Sequence, residues 1–186
     1  ECNVPERVLL DTERFMKILK RMNNNDVMRM GLDEGNFIII FEGDATREYK
    51  IRLLYEEYES PQPPRIDHPV HVNIPTNVML DSLKDLDVFS ANLSLSVDED
   101  YLFIKGGTDF GDGEIKYLHG ETVQEYVESK FNISNLNDMF RSSKLSKYVK
   151  LGLGTDMPLQ VSFELITGDG VLSFLLAPRI SNEEEA

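Results

Sequence analysis

With 186 residues, 41% hydrophobic and 28% charged, the chain can bury a substantial core and has room for one or two domains. A net charge of −14 excludes a protein that coats itself with nucleic acid through bulk charge, while leaving room for a local basic stripe among its 19 lysines and arginines. No run of eighteen apolar residues is available to cross a membrane as a helix, and Glu1-Cys2-Asn3-Val4-Pro5 has neither the basic start nor the apolar stretch of a secretory signal. The single cysteine, Cys2, can form no internal disulfide, which leans towards a reducing compartment.

In chain order, the first predicted element is a helix capped by Asp11 or Thr12, with Phe15, Ile18, Leu19 and Met22 recurring on one face. Arg14, Lys17 and Arg21 gather on the other face with Lys20 on the flank, and Glu13 is the only acid among them. Taken alone, such a row is a solvated helix face. Val27 to Leu32 and Asn36 to Glu42 read as a hairpin around Asp33-Glu34-Gly35, and Arg47 to Leu54 alternates as a third strand. Residues 55–69 carry four prolines and an acidic run, which forbids helix and sheet interior and predicts an extended connecting strap.

A second copy of the pattern opens with the strand Val70 to Ile74 and continues with Met79, Leu83 and Leu86 at helical spacing. Here Asp81, Asp85 and Asp87 surround a single Lys84, so the basic face is not repeated. Ala91 to Val97, Tyr101 to Lys105 and Glu114 to Leu118 follow as strands, with Asp98-Glu99-Asp100 and Phe110-Gly111-Asp112-Gly113 as turns. The third copy is the clearest: the alternating run Ser129 to Ile133, Ser134 as N-cap, then Leu136, Met139 and Phe140 on one helix face. Arg141 and Lys144 share a flank of that helix, and Lys147 to Leu153, Leu159 to Ile166 and Val171 to Ala177 are its strands. Helix onsets near Thr12, Thr76 and Asn135 recur at about sixty residues. The expected class is therefore α+β, one helix on an antiparallel sheet, repeated. Residues 70–180 form one domain of two copies, 1–54 the second half of a like domain, and 181–186 an acidic tail.

Catalytic constellations are thin. His68, His71 and His119 lack metal-ligand spacing, Gly152-x-Gly154 precedes no helix and reads as a strand end, and Asp109, Asp112 and Glu114 lack the order of a calcium loop. No enzyme, metal or cofactor is expected.

At this point the chain resembles the sliding clamps of archaea and eukaryotes, the proliferating cell nuclear antigen family. The resemblance is carried by Leu175-Leu176-Ala177-Pro178-Arg179-Ile180 before the acidic tail, Asp156-Met157-Pro158-Leu159, Leu136 to Arg141, Phe15 to Lys20 and Gly111 to Lys116, in order along essentially the whole chain. It implies two domains per subunit, three subunits closed into a ring around duplex DNA, helices lining the hole and sheets forming the outer wall. It places Arg14, Lys17, Lys20, Arg21, Lys84, Arg141 and Lys144 towards the phosphates. Such contacts carry no sequence information and permit sliding.

The resemblance also pairs the edge strand around Arg47, Tyr49 and Ile51 with Glu114, Ile115, Lys116 and Tyr117 of the next subunit. It makes the proline-rich strap an interdomain connecting loop where DNA polymerase, clamp loader, ligase and nuclease dock short peptide motifs. The implied lining is Pro61, Pro63, Pro64, Ile66, Pro158, Leu175, Leu176, Ala177, Pro178 and Ile180. The family has a further half-domain before the equivalent of Glu1, so the sequence is expected to lack an N-terminal segment. The implied setting is the archaeal cytoplasm and nucleoid, or a nucleus if eukaryotic. The competing expectation is a clamp-like interaction scaffold that never encircles DNA.

Overall fold

The computed structural model describes residues 8–55, 64–168 and 170–179. Cys2, Pro61, Pro63, Ile180 and the tail 181–186 lie outside the described residues. The chain divides into two compact units, Glu1–Pro64 and Arg65–Ala186.

In the first unit Asp11 caps α1 (Thr12–Leu19) by accepting a hydrogen bond from the Arg14 amide at 3.1 Å. The helix ends sooner than its apolar spacing implied: Lys20 is the C-cap, and Met22 lies beyond it, 40% exposed. Three strands follow, β1 (Val27–Asp33), β2 (Asn36–Glu42) and β3 (Thr46–Arg52), paired antiparallel in that order. Glu34 and Gly35 both hold positive φ between the paired Asp33 and Asn36, the geometry of a two-residue hairpin turn. Ile39 and Phe41 are fully buried and Ile51 nearly so, with Leu10, Phe15, Ile18, Met28, Phe37 and Tyr49 packed around them.

The second unit contains the full repeat twice. One copy runs β4 (Val70–Pro75), α2 (Thr76–Asp87), β5 (Asn92–Val97), β6 (Tyr101–Thr108) and β7 (Gly111–Leu118). The other runs β8 (Val127–Asn132), α3 (Ile133–Phe140), β9 (Tyr148–Leu153), β10 (Leu159–Glu164) and β11 (Val171–Leu176). The leading strands are exchanged. The sheets have the order β11-β10-β9-β4 and β7-β6-β5-β8, so each copy's first strand completes the other copy's sheet. The helices repeat the exchange, since the Thr76 amide donates to the Lys147 carbonyl and the Ile133 amide to the Ala91 carbonyl, both at 3.0 Å. One apolar cluster, from Val70 to Leu176, unites both sheets and both helices.

Three local expectations are corrected. Asn132, not Ser134, caps α3, accepting from the Asn135 amide at 3.2 Å. Ile133 ends the alternating apolar series and is also the first helical residue, so strand passes directly into helix. Lys144 stands on a 3₁₀ turn, Ser143–Leu145, rather than on the helix, which stops at Phe140. The β6–β7 turn is Asp109-Phe110, because Gly111 to Gly113 are already paired with Thr108 to Gly106.

Candidate functional surfaces

The helices present their charges outward because their apolar faces are committed to the sheets. On α1, Phe15 and Ile18 pack inward, leaving Arg14, Lys17, Lys20 and Arg21 exposed. Arg14 pairs with Asp11 at 3.2 Å and Lys17 with Glu13, while Lys20 and Arg21 make no ion pair among the described residues. On α2, Met79, Leu83 and Leu86 are buried, and Lys84 is held by Asp81 at 2.9 Å with Asp85 and Asp87 also exposed. At the end of α3, Arg141 pairs with Asp138 at 2.9 Å, and Lys144 is exposed without an ion pair among the described residues. Charge thus differs by helix: cations outnumber acids around α1 and after α3, and acids outnumber cations on α2.

The apolar segment at the chain's end is built by β10 and β11. Leu176 pairs with Leu159 and is buried, whereas Leu175, opposite Gln160, is 37% exposed. Pro158 and Ala177 extend just beyond that last pair, Pro158 half-buried and Ala177 exposed. Arg179 then anchors the strand's exit: its amide donates to the Lys130 carbonyl at 2.8 Å and its guanidinium to Asn92 Oδ1 at 3.0 Å, with Pro178 half-buried between. On the strap, Pro64 is exposed and Ile66 half-buried. Of the ten expected lining residues the structure thus describes Pro64, Ile66, Pro158, Leu175, Leu176, Ala177 and Pro178. Leu176 belongs to the core rather than to a surface.

Sequence reasoning missed one residue in this region. His68 is 7% exposed and its Nε2–H donates to the Pro158 carbonyl at 2.7 Å. Its side of the sheet is open to it because Gly152 has no Cβ. The available signals were a histidine between acidic and proline residues of the strap and the two closely spaced glycines Gly152 and Gly154, which the sequence reads only as a strand end.

Both edge strands are unpaired on one side among the described residues, since β3 ends one sheet and β7 another. Ile51 is buried in its own core, Tyr49 is half-buried beside it, and Arg47 binds Asp26 and the Arg21 carbonyl while stacking over Phe41. On β7, Ile115 and Tyr117 pack inward, and Glu114 and Lys116 face solvent. Hydrogen bonds from Lys105 and then Lys116 hold the Glu114 carboxyl below its usual range, and the same bond raises Lys105. What these strands offer a neighbour is therefore backbone hydrogen-bonding edge with a charged border.

Among the described residues no three His, Cys, Asp or Glu side chains gather as a metal site requires, and no helix is long and apolar enough to cross a membrane.

No family model matches the chain. Among curated proteins, a DNA polymerase sliding clamp of Methanobrevibacter smithii is 46% identical over 98% of this chain. One from Methanothermobacter thermautotrophicus is 43% identical over 98%, and one from Thermococcus gammatolerans 32% over 97%. The chain spans 75% of the length of each. A crystal structure of PCNA from Thermococcus kodakaraensis superposes with a TM-score of 0.82 at 20% identity, covering 96% of this chain and 76% of that one.

Proposed function

Because the chain belongs to the DNA polymerase sliding clamps and acts as a processivity factor, we propose that it works as one subunit of a ring that encircles duplex DNA without reading its sequence. The observation that supports this reading best is the 46% identity to a named clamp along nearly the whole chain. It does no chemistry in this reading. Its effect is to hold an enzyme at the template, replacing repeated encounters from solution by a high local concentration.

Arg14, Lys17, Lys20, Arg21, Arg141 and Lys144 would attract the phosphates, with Lys84 a weak member because Asp85 and Asp87 stand exposed around it in addition to its partner Asp81. Pro64, Ile66, Pro158, Leu175, Ala177 and Pro178, with Pro61, Pro63 and Ile180, would receive short peptide motifs of the polymerase, clamp loader, ligase and nuclease. The β3 edge of one subunit would pair with β7 of the next, three subunits closing the ring, with residues 55–69 connecting the two domains. The setting is the archaeal cytoplasm and nucleoid, in keeping with the archaeal relatives.

The test is retention on closed circular DNA after loading. Changing Lys17, Lys20 and Arg141 together to Glu should lower retention by at least tenfold at moderate salt, since each lost phosphate contact weakens binding and the effects multiply. Unchanged retention would mean that these cations do not hold the phosphates, and failure of the unsubstituted chain to be retained would favour a scaffold that never encircles DNA.

A further inference from the structure

Two buried histidines in the second unit differ in one respect. His119, 3% exposed, donates from Nε2 to the Asp98 carbonyl at 3.1 Å and accepts at Nδ1 from the Glu121 amide at 3.3 Å. Both ring nitrogens are satisfied. Among the described residues His68 makes only the Nε2–H bond to Pro158, and its buried Nδ1 has no partner. Leaving a buried acceptor unpaired is costly, so a lone bond that persists there has to be supported by packing.

The packing is specific. A Cβ built on Gly152 would stand 2.9 Å from His68 Nδ1 and 3.0 Å from Cγ, so the imidazole approaches bare backbone of β9 more closely than a side chain there would allow. Two residues along, the space over Gly154 is filled by Pro69 and Met157. Gly152 on β9 and Gly154 just after it therefore leave bare backbone against which His68, and then Met157 and Pro69, pack. The two ends of the His68–Pro158 bond are ninety positions apart in sequence. One end is the strap that carries Ile66; the other immediately precedes Leu159, whose strand partner is Leu176.

We propose that His68 is a positioning residue for partner docking: its bond to Pro158, seated on Gly152, fixes the exit of the connecting strap against the start of β10, whose partner strand β11 presents Leu175. This rests on the docking reading above. A docked peptide touches the strap and the β10–β11 end together, so its affinity depends on holding the two in register before binding. Without the latch, the ordering cost falls on the peptide. His68 does not touch the peptide.

The experiment measures binding of a fluorescent synthetic peptide, bearing one aliphatic and two aromatic anchors at helical spacing, to the full chain. Wild type should bind. His68→Ala should bind about five- to tenfold more weakly, the loss of one buried hydrogen bond. His68→Gln, which restores an amide N–H at similar reach, should recover most of the loss. Gly152→Ala, which drives a methyl into the ring, should weaken binding in wild type but much less in the His68→Ala background. Hydrogen exchange of the β10 and β11 amides reports whether the sheet remains folded, separating a displaced strap from a collapsed unit. A wild type that binds no peptide overturns the docking reading itself. Tight binding by wild type with equal affinity for His68→Ala, or loss without rescue by Gln in a sheet whose exchange is unchanged, overturns the latch.

Discussion

The same helix-on-three-strands pattern occurs in both units, yet it is buried to very different degrees. In residues 70–179, α2 encloses Met79, Leu83 and Leu86 at 1% exposure or less, and the exchanged strands β4 and β8 turn two copies into one core. In residues 8–55, α1 buries no residue fully, β1 is exposed along most of its length, and the core is Ile39, Phe41 and Ile51. The difference teaches that a single copy is not a complete folding unit. Among the described residues its sheet has three strands with free edges at β1 and β3, and Val27 and Met30 on β1 are 58% and 48% exposed. Where a leading strand from another copy is present, the edge corresponding to β1 is paired and the apolar face is covered.

The largest effect expected from this contrast is in stability. Leu83→Ala, deleting a fully buried side chain in α2, should cost about 2–5 kcal/mol in urea unfolding of the full chain, transfer and cavity terms together. Phe15→Ala in α1 removes a larger but only half-buried ring and should cost less than half as much, because neighbours can relax around an incompletely enclosed site. Equal losses would sink the idea that exchange of strands is what consolidates the second unit.

The charges sharpen the same comparison between helices. Lys20→Glu, beside α1, should reduce the slope of log affinity against log salt by about 1 for duplex DNA, the signature of one lost phosphate contact. Lys84→Glu should leave the slope nearly unchanged, since Lys84 is already held at 2.9 Å by Asp81 and stands beside Asp85 and Asp87. A Lys84 effect as large as that of Lys20 would mean that the acidic surroundings of α2 do not screen it.

Much of this was legible in the sequence, for identifiable reasons. Hairpins such as that at Glu34-Gly35 depend on two residues in the left-handed region, and the helices on the spacing of Met79, Leu83 and Leu86; both signals are local. The exposure of Arg14 and Lys17 on α1 was readable because Phe15 and Ile18 fixed which face was free, whereas Lys144 was placed on the wrong element because α3 stops at Phe140. The strand exchange was not readable, because β4 pairs with β9 and β8 with β5 across long separations that no local pattern encodes. Asn132 was passed over as a cap because it alternates correctly as a strand residue, and the strand runs straight into the helix. His68 and Gly152 carry meaning only as a pair, and the glycine's role is the absence of an atom.

The smallest expected effect concerns His71, the histidine next to the strap's His68. His71 stands on β4 with its ring 5.9 Å from that of His68. Partial desolvation, then the positive charge of Lys150, then His68, lower its pKa from 6.5, and Glu121 opposes them. In the unfolded chain His71 takes up a proton near 6.5, whereas in the folded chain it does so only at lower pH. Between those two values the unfolded state binds more protons, so stability rises with pH through that window and is lost as the solution is acidified through the folded pKa. Because His71 remains largely in contact with solvent, the change should be small. Proton NMR should place the His71 titration midpoint below 6.5, and His71→Gln should flatten the slope of stability against pH in that window while leaving it unchanged near neutrality. A midpoint at or above 6.5 would mean that Glu121, which also receives the Asn73 amide at 2.8 Å, outweighs Lys150 and the sheet around it.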